Sequence, residues 1–294
     1  MHDVAHGNDR KTWTSARGAV SPDSRAVRYG DGVFVTLGIR DGILLDAAFQ
    51  LKRLRDAAAR IGLLPPPLFD DADDAPWVLA ALLEDLGAGA RTDGTARLQW
   101  SAGPGRRGFG RDEVRAEALL DLGSAPEPRR PSVVLLDERD APLPALPHLK
   151  TCSALAQVLC ERAARAAGAD TGIRTRDGLL LETGSANLVW LTDAGLHTPA
   201  ADLPLYAGSV RERVIECALG AGLPVEEGDY SPAALAGARA LLLTNAARGV
   251  EIAGALDGRR LPDPPDVAVA LADAVAARRE AAGIALGGGP DAAA

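Results

Sequence analysis

The chain has 294 residues, 47% hydrophobic and 24% charged, the balance of a globular protein with room for two domains and their cores. A formal net charge of −8 gives no electrostatic footing for nucleic acid or an anionic membrane, and no apolar run reaches the ~18 residues a membrane span needs. Cys152, Cys160 and Cys217 lack metal-ligand spacing and the polar opening stretch does not read as a secretory signal, so no metal and a cytoplasmic home are expected.

Residues 1–20 read as a flexible leader and 285–294 as a flexible tail. Between Phe34–Leu37 and Ile43–Leu45 the pair Asp41-Gly42 predicts a hairpin. Apolar residues at helical spacing follow from Ala47 to Leu63, stopped by Gly62 and the run of prolines from Pro65 to Pro67. A second helix is expected over 75–86, then strands over 96–101 and 132–137. The proline-rich stretch 142–147 is stiff and poor in donors, which suits an interdomain linker over 139–147. Beyond it the pattern gives a helix over 155–167, short strands at 171–175, 179–181 and 187–191, a helix over 210–222 and a buried strand over 240–243. Interleaved strands and helices of this kind argue for a mixed α/β or α+β chain, with a small N-terminal domain over 21–138 and a larger one over 148–284.

Lysine is scarce: Lys11, Lys52 and Lys150 stand against many arginines. Arginine does not deprotonate to a nucleophile, so this scarcity narrows any Schiff-base chemistry to three positions. Lys11 lies in the polar leader, and Lys52 sits beside Arg53 on an amphipathic helix. Lys150 follows the prolines and opens a segment of small and apolar residues, a setting that favours a reactive amine.

Several motifs in fixed order carry a resemblance. They are Arg28-Tyr29-Gly30-Asp31-Gly32-Val33-Phe34, Gln50-Leu51-Lys52-Arg53-Leu54, His148-Leu149-Lys150-Thr151 and Leu181-Glu182-Thr183-Gly184-Ser185-Ala186-Asn187-Leu188. Leu196-His197-Thr198-Pro199, Ala207-Gly208-Ser209-Val210-Arg211 and Leu243-Thr244-Asn245-Ala246 complete the series. Together they resemble the fold-type IV (class IV) pyridoxal-phosphate enzymes, the family of aminodeoxychorismate lyase and of branched-chain and D-amino acid aminotransferases. The resemblance implies a two-domain α/β fold with pyridoxal 5′-phosphate in the cleft, usually as a homodimer, acting on a small molecule. It implies that Lys150 binds the cofactor and serves as general base and acid. Glu182 would pair with the pyridine nitrogen, Arg53 would grip the phosphate, and Gly208, Ser209 and Val210 would cradle it at a helix N-terminus, with a hydroxyl from Thr244. Asn187 would brace the cofactor. Tyr29, Thr36 and Arg107, the last on the glycine-rich loop 103–109, would face the substrate.

Two chemistries share this scaffold. Val35-Thr36 after Phe34, the loop Gly103-Pro104-Gly105-Arg106-Arg107-Gly108-Phe109, and Thr244-Asn245-Ala246 favour the lyase, which expels pyruvate to leave the folate precursor p-aminobenzoate. Ala102 and Gln50, where an arginine and a histidine are usual, count the other way. A class IV aminotransferase for a D-amino, branched-chain or specialised donor is the alternative, and a degenerate cofactor-binding homologue a third.

Overall fold

The computed structural model describes the backbone of residues 3–7 and the backbone and side chains of residues 20–88 and 93–287. Its contacts divide the chain into two compact units. The first comprises Met1–Pro126, Leu149–Ser153 and Arg279–Ala294, and the second Glu127–His148 and Ala154–Arg278. The division falls earlier than residue 138, because the strand Ser132–Leu136 pairs with partners of the second unit. Residues 139–147 accordingly count within that unit, where Ala141 is buried.

The first unit contains β1 (Asp3–Gly7), α1 (Arg25–Tyr29), β2 (Gly32–Arg40), β3 (Ile43–Leu44), α2 (Ala47–Arg60), β4 (Leu63–Leu64), α3 (Ala75–Asp85), β5 (Gly94–Ser101), β6 (Val114–Arg115) and β7 (Glu117–Ser124). Its main sheet runs β1-β7-β5-β2-β3 and is closed at the far edge by a late two-residue strand, Ile284–Ala285. Alternation decides which face is dry: Val33, Val35, Leu37 and Ile39 of β2 point one way with Ala96, Leu98 and Trp100 of β5. Ala47, Leu51, Leu54 and Ala58, on one stripe of α2, pack against them. Phe34 and Thr36 therefore lie on the opposite, half-buried face. Within the leader, Asp3–Gly7 forms an edge strand on β7, and the rest of residues 1–19 lies outside the described residues. Of the tail, Ala285 belongs to the edge strand, Leu286 donates its amide to Gly42, and residues 288–294 lie outside the described residues.

The second unit contains β8 (Ser132–Leu136), α4 (Leu155–Ala166), β9 (Thr171–Arg176), β10 (Leu179–Thr183), β11 (Asn187–Thr192), β12 (Gly195–Pro199), α5 (Ser209–Gly220), β13 (Val225–Gly228), β14 (Ala240–Asn245), β15 (Gly249–Ile252), β16 (Ala255–Leu256), β17 (Arg259–Arg260) and most of α6 (Asp266–Ala281). Two five-stranded sheets, β10-β9-β8-β16-β17 and β13-β12-β11-β14-β15, enclose a core that includes Ile173, Leu180, Leu188, Trp190, Leu241 and Leu243. Val210 and Val214 of α5 and Leu271 and Val275 of α6 cover the second sheet through Val189, Leu191 and Leu242. With apolar cores on both faces, β11 is buried from Asn187 to Leu191 and reads as a nearly unbroken apolar run.

The predicted elements form close to where expected, and the chain is a mixed α/β protein. Asp41-Gly42 and Asp177-Gly178 take positive φ at both residues (49° and 73°, 52° and 78°), the twist a two-residue hairpin requires. Asp257-Gly258 makes a third such turn, between β16 and β17.

Candidate active site

Lys150 enters the first unit's sheet by its backbone. Its carbonyl accepts the amide of Phe34 at 2.9 Å, Thr151 bridges Val33, and the Cys152 amide donates to Gly32 O at 2.8 Å. The ammonium nitrogen lies 5.3 Å from the Phe34 ring centroid, half-buried. On the same side, the Arg97 guanidinium carbon sits 3.8 Å from that centroid, Thr36 pairs with Arg97 across β2 and β5, and Asp121 of β7 stands opposite Arg97. Burial pushes the Cys152 thiol up to about 11, against the opposing charge of Arg97. Val35 is 2% exposed in the core, so of the pair Val35-Thr36 only the threonine reaches this face.

Tyr29 and the glycine-rich loop are tied together. Gly108 donates its amide to the Tyr29 hydroxyl at 3.0 Å, and Phe109 packs edge-on to the Tyr29 ring. Arg25 donates to the carbonyls of Gly108 and Phe109 and through Nε to Asp31, which also takes Nε and Nη2 of Arg111 at 2.7 and 2.9 Å. Burial pushes the Asp31 carboxyl up, but the hydrogen bonds and charges of Arg111 and Arg25 outweigh it and hold it below its ordinary value. Arg107 is exposed on this loop. Arg53, on α2, is half-buried with its guanidinium carbon 5.7 Å from the Phe49 ring centroid, one helical turn away.

The second unit gathers the remaining predicted residues. Glu182 is 8% exposed at the end of β10. Asn187 Nδ2 donates to Glu182 Oε2 at 3.2 Å and to the Tyr206 carbonyl at 2.6 Å, while its Oδ1 accepts the Gly208 amide at 2.9 Å. A Cβ at position 208 would lie 2.4 Å from that Oδ1, so glycine is required by close approach. Gly208 caps α5, and its amide is taken by Asn187; the next amides at this helix end are those of Ser209 and Val210. Thr244 pairs with Asn187 across β14 and β11, and its buried Oγ1 has no hydrogen-bond partner among the described residues.

This chain matches the family "Amino-transferase class IV" over residues 32–253, well over half its length. It belongs to the class IV aminotransferase family. It is 26% identical over 234 residues to an aminodeoxychorismate lyase of Vibrio harveyi, covering 77% of this chain and 83% of that one. It is 29% identical over 275 residues to a bifunctional aminodeoxychorismate lyase and D-amino acid transaminase of Mycobacterium tuberculosis, covering 86% and 91%. In structure it resembles a fold IV transaminase of Curtobacterium pusillum at a TM-score of 0.77 and 23% identity, covering 94% of this chain and 99% of that one. The family consists of pyridoxal-phosphate enzymes, and the chain is an enzyme of that kind.

The residues present fit the cofactor. A buried carboxylate, a buried Thr244 hydroxyl without a partner among the described residues and a helix N-terminus behind Gly208 are the donors and acceptors that a protonated pyridine and a phosphate call for. Sequence reasoning missed Arg174, whose Nη2 donates to Glu182 Oε1 at 3.2 Å and to the Thr183 carbonyl at 2.9 Å. It also missed Arg97 and the Arg25–Asp31–Arg111 tie. An arginine within Thr171–Arg176 gives no hint of facing inward, because Arg174 and Arg176 look alike in the sequence. Among the described residues no helix is long and apolar enough to cross a membrane, and no group of three or more potential ligands suits a metal.

Proposed function

We propose that the chain is an aminodeoxychorismate lyase-like enzyme that splits 4-amino-4-deoxychorismate into p-aminobenzoate and pyruvate. The observation that carries this reading is Thr36. The β2 face alongside Lys150 offers an aromatic ring and a hydroxyl, Phe34 and Thr36, and β2 contains no carboxylate that would repel a diacid.

Pyridoxal phosphate, when bound, supplies the electron sink that makes the C–H bond beside the substrate nitrogen acidic. Lys150 would carry the cofactor on its amine and, once freed, would take that proton. The enolpyruvyl oxygen leaves with its bonding electrons and gains a proton to become pyruvate, and the ring is left aromatic. Glu182, braced by Asn187, would keep a proton on the pyridine nitrogen. Arg53, the Ser209 and Val210 amides and the Thr244 hydroxyl would hold the phosphate. Tyr29 positions the loop from which Arg107 reaches a substrate carboxylate, and Thr36 donates a hydrogen bond to the substrate.

A D-amino acid aminotransferase is the second reading, and the M. tuberculosis relative, which carries both names, favours keeping it. The decisive assay incubates the chain with aminodeoxychorismate and follows p-aminobenzoate and pyruvate, then offers D-alanine or L-leucine with 2-oxoglutarate. Transamination without p-aminobenzoate ends the lyase proposal. We also infer a homodimer working in the cytoplasm. Leu155 and Val158, three residues apart on α4, are 68% and 59% exposed, as an apolar contact face requires. Light scattering on the purified chain reads the dimer directly, and a monomer at micromolar concentration overturns it.

A further inference from the structure

Arg174 is 1% exposed, and its Nε and Nη1 have no hydrogen-bond partner among the described residues. Such an arrangement is costly, since a guanidinium with five donors is rarely buried with most of them unmet. The one ion pair it makes there is with Glu182. Arg174 takes one carboxylate oxygen and Asn187 takes the other, both at 3.2 Å, so the plane of the carboxylate is set by two donors on neighbouring strands.

We propose that Arg174 is the positioning residue for Glu182: its buried guanidinium keeps the carboxylate ionised and in plane whether or not a cofactor is bound, and sets how firmly that carboxylate holds the proton of a ring nitrogen. The second half rests on the pyridoxal-phosphate reading above. A carboxylate buried alone takes up a proton rather than stay charged. A protonated Glu182 turns its O–H on a neutral pyridine nitrogen, or offers a weaker acceptor to a charged one. Arginine, which never gives up its charge, rules out that state across the physiological range. The same fixed charge draws a shared proton away from the carboxylate–nitrogen pair, so that proton leaves at lower pH with Arg174 than without it.

Two measurements on the full chain test this. In the cofactor-free protein, denaturant unfolding of Arg174→Met, Glu182→Gln and the double variant forms a cycle. We expect Arg174→Met to raise the unfolding equilibrium constant at least tenfold and the added Glu182→Gln to recover most of that loss, because the charge that Arg174 balances is gone. In the cofactor-loaded protein, the visible absorbance is titrated with acid and base. The transition should move up by about one pH unit in Arg174→Met and stay near wild type in Arg174→Lys. If Arg174→Met fails to fold while the double variant folds, the coupling stands. If the double variant is no better folded than Arg174→Met, or the absorbance titrates as wild type, the proposal falls and the cofactor reading survives. A wild-type chain that never turns yellow with pyridoxal phosphate overturns the cofactor reading, and this proposal with it.

Discussion

The two clusters that the proposed chemistry uses are built in opposite ways. Around Lys150 the main chain is pinned to β2, while the side chain lies half-buried beside an aromatic face. Around Glu182 each carboxylate oxygen has its own donor, Asn187 spends both ends of its amide, and the Gly208 approach is too close for a methyl group. The difference follows from what each group must do. In the proposed reaction the amine forms and breaks a bond and then carries a proton, a task that a fixed Cα serves by setting where the chain of four carbons begins. A carboxylate that only balances charge gains from being held still, because a preorganised group needs no rearrangement as charge develops.

The largest expected effect comes from removing the Lys150 amine. Lys150→Ala should cut turnover at least ~10³-fold, with no cofactor retained after borohydride treatment and gel filtration. Retained turnover in that variant ends the assignment of the base. Next comes the tie that holds Tyr29 and its loop. Asp31→Asn leaves Arg25 and Arg111 without their shared charge and should cost about 3 kcal/mol of unfolding free energy by denaturant titration. The sign with pH follows from the depressed carboxyl: Asp31's contribution is complete above its ordinary value of 3.8 and is lost as the pH falls through its lower folded value. A wild-type acid-stability curve that matches the Asn variant's contradicts the tie. Asn187→Ala should cost about 2 kcal/mol, since it strands the Gly208 amide and the Tyr206 carbonyl, and should loosen cofactor binding several-fold by equilibrium dialysis. Unchanged cofactor affinity in a folded Asn187→Ala chain removes Asn187 from the site.

Elements governed by local rules were legible in the sequence. Asp-Gly turns need two positive φ values, apolar residues at spacing two or four bury one face, and Gly62 closes α2, so strand and helix bounds lie within a few residues of those predicted. The boundary between units was not legible. Prolines at 142–147 looked like a linker because they lack donors, whereas the parallel pairing of β8 with β9 and β16 draws that stretch into the second unit. Parallel pairing leaves no local signature. Arg174 was missed for a different reason: its meaning comes from Glu182 on the antiparallel neighbour β10, and a bulge in the β9–β10 register breaks the simple alternation that would have paired them.

The smallest effect sharpens the comparison from the Lys150 side. If the backbone of 150–152 is pinned while only the lysine side chain is mobile, Cys152 two residues on should stay sheltered. With its thiol pushed up to about 11 by burial, roughly one molecule in a thousand carries the thiolate at pH 8. Alkylation at Cys152 should therefore run about a hundredfold slower than at an ordinary exposed cysteine, and quicken about tenfold for each pH unit up to 11. Removing the opposing charge by Arg97→Met should raise the thiol further and slow the reaction several-fold at any given pH, because Arg97 favours the thiolate. Mass mapping of the labelled peptides separates Cys152 from Cys217, whose thiol is less buried. Rapid labelling of Cys152 at pH 8 places the segment in solution, and then the fixed backbone, on which the reach of the Lys150 amine depends, is not fixed at all.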